Sequence, residues 1–207
     1  MNTVMSIEER KQREKAALQR KIIQAASVLI SERGHENVSI RQIAEAVEYS
    51  PRTIYLYFRD KEHLLQEVVE AGFKRTLEMR SREAEHVPAS PSALIRQRLE
   101  AHIYSALAHP NFYRAVVTLI FDKGYSPGPA QQKIIDQTKA DIARCLPPES
   151  TTDAEIENYS RIVFASVRGF ALSLLKINDT QSDRERGELI THFINFIEQG
   201  LQIQEDT

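Results

Sequence analysis

Cysteine is nearly absent from these 207 residues, and tryptophan is absent altogether. The single Cys145 excludes an internal disulfide and a cysteine metal cluster, and it fits a reducing compartment. Glycine is sparse, with 7 residues, and no segment alternates apolar and polar residues as a strand does, which points to an all-helical fold. No apolar run approaches the roughly 18 residues expected of a membrane-crossing helix. The opening MNTVMSIEERKQREK lacks the apolar stretch of a secretory signal, so a cytoplasmic location is expected. Catalytic signatures are missing as well: there is no HExxH, P-loop, GxGxxG or GxSxG. The acid pair Glu83 and Glu85 sits on a polar helix end, where a solvated face is the default. Neither catalytic residues nor a metal or cofactor is therefore expected.

What is present is an ordinary core-forming composition, 42% hydrophobic and 27% charged, enough for one or two domains. The net charge of −2 hides an asymmetry. Residues 1–82 carry 15 Lys and Arg against 12 Asp and Glu, whereas residues 83–207 carry 12 against 17. A mildly basic head on an acidic body suits phosphate contact at one end.

The most informative stretch is SIRQIAEAVEYSPRTIYLYF, residues 39–58. Ser39 followed by Gln42 forms a capping box, and Ile40, Ile43, Ala44 and Val47 recur at helical spacing. After a break at Glu48–Tyr49, Ser50–Pro51 restarts a helix, since Ser is a favoured cap and Pro fits the first helical position. Only Ile54 and Phe58 lie on its apolar line. Arg52, Thr53, Tyr55 and Tyr57 remain, where a solvated helix would carry Glu, Lys and Gln. Two helices, a short turn and a second helix so armed form a helix-turn-helix pattern.

The run IAEAVEYSPRTIYLYFRDKEHLL resembles the DNA-binding segment of the TetR family of bacterial repressors, over roughly residues 16–76. Glu48 departs from the family, which usually has Gly at that turn; a non-glycine residue at positive φ costs on the order of 1 kcal/mol. The resemblance implies phosphate contacts from Thr53, Tyr55, Tyr57 and Lys61, and base-edge reading by Arg41, Pro51 and Arg52. Arginine is the commonest bidentate reader of guanine. Ser39 and Ser50 are caps first, at helix N-termini that also suit phosphate.

Around this segment the periodicity predicts a first helix over 8–33, stopped by Gly34, with Leu18, Ile22, Ala25, Ala26, Leu29 and Ile30 on one stripe. Arg10, Lys11, Arg13, Lys15, Arg20 and Lys21 crowd its opening, either as a solvated face or as backbone and minor-groove contacts. Asp60 caps a fourth helix reaching about residue 82, which in the resembling family links head to body and transmits ligand binding. HVPASPSA, residues 86–93, reads as a boundary. Helices follow at 91–108, 111–121 and 130–145, and two more open with the capping boxes Thr152–Glu155 and Ser182–Glu185.

Along the eighth helix Ile156, Val163, Phe170 and Ile177 repeat every seven residues. The ninth carries two apolar lines, Leu189–Phe193–Phe196 and Ile190–Ile194–Ile197–Leu201. Two lines imply two packed faces, one against a partner subunit. A homodimer interface is thus expected at Val163, Phe170, Phe193, Phe196, Ile197 and Leu201. Tyr104, Phe112, Tyr113, Phe121 and Phe164 lie on helices that converge on the effector cavity in the resembling family. His102 reads as a core histidine or a ligand contact. Arg168, inside an apolar seam, is either salt-bridged or a clamp for an anionic effector. The effector is expected to be hydrophobic.

The expected architecture is all-α with about nine helices. A three-helix head at residues 10–60 binds a palindromic DNA operator, and a body at 61–207 binds effector and dimerises, together making a ligand-responsive repressor. The alternative is a helical adaptor that binds protein without DNA.

Overall fold

A computed structural model describes residues 6–82, 90–122, 125–147, 151–176 and 182–201. Residues 86–89 of the predicted boundary at 86–93, Glu83, Glu85 and Ile177 lie outside these residues, as does anything beyond Leu201. Among the described residues the helices are α1 Ile7–Arg33, α2 Ile40–Val47, α3 Pro51–Tyr55, α4 Lys61–Arg82, α5 Pro91–Ala108, α6 Pro110–Ile120, α7 Pro129–Ala143, α8 Asp153–Leu174 and α9 Asp183–Gly200. A 3-10 turn at His35–Asn37 lies between α1 and α2, and no strand occurs among these residues. None of the described helices is long and apolar enough to cross a membrane.

Helix starts follow side-chain caps. Ser39, Thr152 and Ser182 form the expected capping boxes with Gln42, Glu155 and Glu185, and Ser6 forms another with Glu9. The Glu155 and Glu185 carboxylates lie below their usual range because each accepts the capping residue's backbone N–H and its hydroxyl. Ser50 and Ser90 cap α3 and α5, each followed by proline.

The chain packs as two units, residues 1–72 with 111–126, and residues 73–110 with 127–207. In the first, α1 packs on α2 and α2 on α3. Ile22, Ala26 and Ile30 of α1 are buried, as are Ile43, Ala44 and Val47 of α2. Five residues are too few for a helix to hold itself together. What holds α3 is the burial of Ile54 and Phe58, at about 1.5–3 kcal/mol for each large side chain, plus the Ser50 cap. At the start of α6, Asn111 Nδ2 donates to the Ser31 carbonyl at 2.9 Å. Gly72 of α4 leaves room for a ring of α6: a Cβ there would fall 2.7 Å from Phe112 Cζ.

The turn between α2 and α3 has Glu48 at φ 63°, ψ 38°, in the left-handed region. Tyr49 N–H reaches back to the Ala44 carbonyl at 2.9 Å, the six-to-one bond of a glycine-type helix end. Lys21 closes the turn from α1: its Nζ donates to the Val47 carbonyl at 3.1 Å and lies 5.9 Å from the centre of the Tyr49 ring. Lys21, one of the basic residues read either as a solvated face or as DNA contacts, is thus spent on the turn. Glu48→Gly should raise stability by about 1 kcal/mol by relieving the left-handed strain. For a chain this size that is roughly 2–4 °C in a thermal melt. A lower midpoint would mean that the Glu48 side chain contributes more than the strain costs.

The second unit is built on Ile95, Leu99 and Ile103 of α5, Ile142 of α7 with the adjoining Leu146, Val163, Val167 and Leu174 of α8, and Ile190, Ile194, Ile197 and Leu201 at α9. Arg98 pairs with Asp141 at 3.4 Å, and Arg96 bonds both Asn195 and Glu198.

Candidate functional site

The face formed by the start of α2 and the start of α3 gathers most of the residues expected to meet DNA. Ser39, Arg41, Pro51, Tyr55 and Lys61 line one open concavity of about 550 Å3, together with Glu36. Local sequence produces this convergence. The Ser39 box begins α2 with Arg41 as its second residue, the left-handed turn reverses the chain, and Ser50–Pro51 begins α3.

The side chains differ in freedom. Arg41 is 81% exposed, and its Nε donates to Glu45 Oε1 at 3.0 Å. Arg52 is exposed and makes no ion pair among the described residues. Tyr55 is exposed, whereas Tyr57 and Thr53 are half-buried. The Thr53 hydroxyl lies 3.0 Å from the Ser50 hydroxyl. Sequence reasoning gave no role to Leu56, a leucine off the Ile54–Phe58 line that stands 73% exposed beside Tyr55.

Between α3 and α4 the backbone is braced by a reciprocal pair. His63 N–H donates to Asp60 Oδ1 at 2.7 Å, and Arg59 N–H donates to His63 Nδ1 at 3.2 Å. The His63 ring also meets Phe58 edge-on at 5.8 Å. His63 therefore fixes the segment leading to Lys61. Asp60 is held below the usual carboxylate range by the Arg59 hydrogen bond at 2.8 Å, then by the His63 N–H.

The seven residues predicted for an effector site divide between the packing units. Phe112, Tyr113 and Phe121 belong to the first. Phe112 fills the space above Gly72. Phe121 is 73% exposed and lines a groove of about 590 Å3 with His35, Lys61, Glu62, Leu65 and Asp122. His102, Tyr104, Phe164 and Arg168 belong to the second unit. Tyr104 is 53% exposed, so it stands off the buried line of α5.

His102 and Arg168 are brought together. Burial pushes the His102 imidazole down to about 4, assisted by the positive charges of Arg168 and Arg80. Arg80, unnoticed in the sequence, also donates to Gln137 Oε1 at 3.2 Å. An imidazole that resists protonation when folded but titrates near 6.5 when unfolded costs stability in acid. The loss begins as pH falls through 6.5 and continues towards 4, at up to about 1.4 kcal/mol per pH unit, with none above that window. Urea midpoints at pH 7.5, 6 and 5 should show this limb, and His102→Gln should flatten it. An unchanged limb would assign it to other groups.

Of the residues predicted for a subunit interface, Val163, Ile197 and Leu201 are 4%, 5% and 2% exposed, spent on the core of their own chain. Phe170 and Phe193 are half-buried and stacked on each other at 4.0 Å. Phe196 faces outward at 70% exposure, and so does Ile162 of α8 at 59%, which the periodicity did not single out. Cys145 donates its thiol to the Asp141 carbonyl at 3.4 Å, and burial raises its pKa to about 11, so it remains a thiol. No group of three or more His, Cys, Asp or Glu among the described residues could hold a metal ion.

Residues 22–68 match the family described as bacterial regulatory proteins, tetR family. Comparison with curated proteins finds no match. Similar solved structures include RolR in complex with resorcinol, 19% identical with a TM-score of 0.68, covering 93% of this chain and 91% of that one. The transcriptional regulator FadR from Bacillus subtilis in complex with stearoyl-CoA is 19% identical with a TM-score of 0.58, over 88% of this chain and 96% of that one. A protein of unknown function from a Rhodococcus species is 22% identical with a TM-score of 0.70, over 90% and 96%. At such identities the likeness is one of fold.

Proposed function

We propose that the chain, whose residues 22–68 match the tetR family of bacterial regulatory proteins, is a cytoplasmic, dimeric repressor of that family. In this reading residues 10–60 bind a palindromic operator, and residues 61–207 bind a hydrophobic effector and dimerise. The observation that carries it is the convergence of Ser39, Arg41, Pro51, Tyr55 and Lys61 on one open face. Arg41, Pro51 and Arg52 read base edges. Thr53, Tyr55, Tyr57 and Lys61 hold phosphates, as do the helix ends capped by Ser39 and Ser50. Leu56 offers an apolar contact of the kind a thymine methyl accepts.

Release of DNA requires an effector that binds the released arrangement better than the DNA-bound one, with a coupling of about 1–3 kcal/mol. The structural neighbours carry ligands as different as resorcinol and stearoyl-CoA, so their fold does not choose the molecule. The Arg168 and Arg80 charges bearing on His102 favour an anion on an apolar body. A thermal-shift screen of fatty acids, aromatic acids and neutral hydrophobes checks this. Acids should be the hits, and Arg168→Ala should weaken them.

The function is tested by salt. Binding to a duplex should fall steeply between 50 and 200 mM salt, roughly as counterions are released from the phosphates touched. An adaptor binding protein through the same face would show no duplex binding to titrate away.

A further inference from the structure

We propose that Glu45 is a positioning residue that fixes which edge of Arg41 meets a base, and thereby sets base preference at that step. This rests on the DNA-binding reading above. Arg41 stands at the second residue of α2, and one turn later Glu45 Oε1 accepts its Nε–H at 3.0 Å. Both side chains are largely in solvent, at 81% and 63% exposure, on the helix whose N-terminal end opens onto the concavity shared with Pro51, Tyr55 and Lys61.

A guanidinium offers two donor edges, one made by Nε with a terminal nitrogen and one made by the two terminal nitrogens. With Nε engaged by Glu45, the terminal pair remains. Two parallel N–H donors match the O6 and N7 acceptors of guanine. Without Glu45 the side chain gains a second edge and its full charge, and phosphate oxygens compete for both.

The carboxylate also offsets the charge of Arg41, so that Arg41 adds little to the sequence-independent attraction of the head. Arg52, with no ion pair among the described residues, keeps its whole charge. The two arginines thus divide the work: Arg52 supplies attraction as well as reading, whereas Arg41 mainly discriminates. An exposed pair one helical turn apart contributes little to stability, so removing Glu45 should leave the fold intact.

The test uses the full chain as wild type, Glu45→Ala and Glu45→Gln, with fluorescence anisotropy over 50–200 mM salt. The probes are the duplex selected by the wild type, the same duplex changed at the step whose discrimination is lost in Arg41→Ala, and an unrelated duplex. Glu45→Ala should lose about 5-fold or more of the discrimination at that step. Its affinity for the unrelated duplex should rise about 3-fold, with a steeper salt dependence. Glu45→Gln keeps an oxygen for Nε, so it should retain the discrimination while sharing the gain on unrelated DNA. Discrimination at the step read by Arg52 should not change in either variant.

Full discrimination by Glu45→Ala at the Arg41 step would overturn the proposal. So would a switch of preferred base at another step in Glu45→Gln, which would make Glu45 a base reader itself. A wild-type chain that prefers no duplex would remove the DNA-binding reading and this proposal with it, and it would be recognised from the wild-type arm alone.

Discussion

Ile162→Glu combined with Phe196→Glu should give a folded monomer that no longer holds a two-half-site operator. Phe196 and Ile162 are large apolar side chains left 70% and 59% exposed on α9 and α8, while the inner lines of the same helices fill the core. A stable helical interface buries well over about 1,000 Å2, and a carboxylate placed within it costs several kcal/mol unless paired. Two such carboxylates per subunit outweigh an ordinary dimer affinity. A monomer then meets each half-site separately and loses the effective-concentration gain of about 100-fold or more that linkage supplies. Light scattering would report the mass and anisotropy the operator affinity. Leu201→Glu is the informative contrast. Leu201 is 2% exposed within its own chain, so this variant should unfold rather than dissociate. A double variant that remains dimeric would put the interface on another surface.

Arg52→Ala and Arg41→Ala should each weaken binding to the selected duplex by about 1–3 kcal/mol and relax preference at one step each. Arg52→Ala should also reduce binding to unrelated DNA, because its charge is not offset by an ion pair among the described residues. Tyr57→Phe removes a single hydroxyl from a half-buried ring, so it should weaken all duplexes alike and leave base preference as it was. Binding isotherms for single-step variants of the selected duplex decide the matter. If Tyr57→Phe altered preference at one step, Tyr57 would be touching a base rather than a phosphate.

Local signals were legible in the sequence. Ser39 with Gln42, Ser50 with Pro51, Thr152 with Glu155 and Ser182 with Glu185 mark helix starts because the partners lie within one turn of each other. Glu48 in a left-handed turn was anticipated only through the resemblance, which usually has Gly at that position. Groups that act across the chain were not. Lys21 looks like any basic residue of a long helix until the fold puts the Val47 carbonyl beside it, 26 positions away. Arg80 is half-buried on α4, and nothing local in the sequence connects it with His102 on α5. Two apolar lines on α9 imply two faces, but periodicity does not say which line the core takes. The structure gives Ile190, Ile194, Ile197 and Leu201 to the core and leaves Phe196 outside. The Arg41–Glu45 pair has a legible spacing; its meaning depends on α3 lying alongside.

The most direct measurement is selection of bound duplexes from a random pool, followed by salt titration of the winner. The account predicts an enriched palindrome whose half-sites lie about one helical turn, roughly 34 Å, or a multiple of it apart, bound by a dimer with affinity that falls steeply with salt. A pool that yields no enriched sequence, or a winner bound no more tightly than random DNA at every salt concentration, would contradict it.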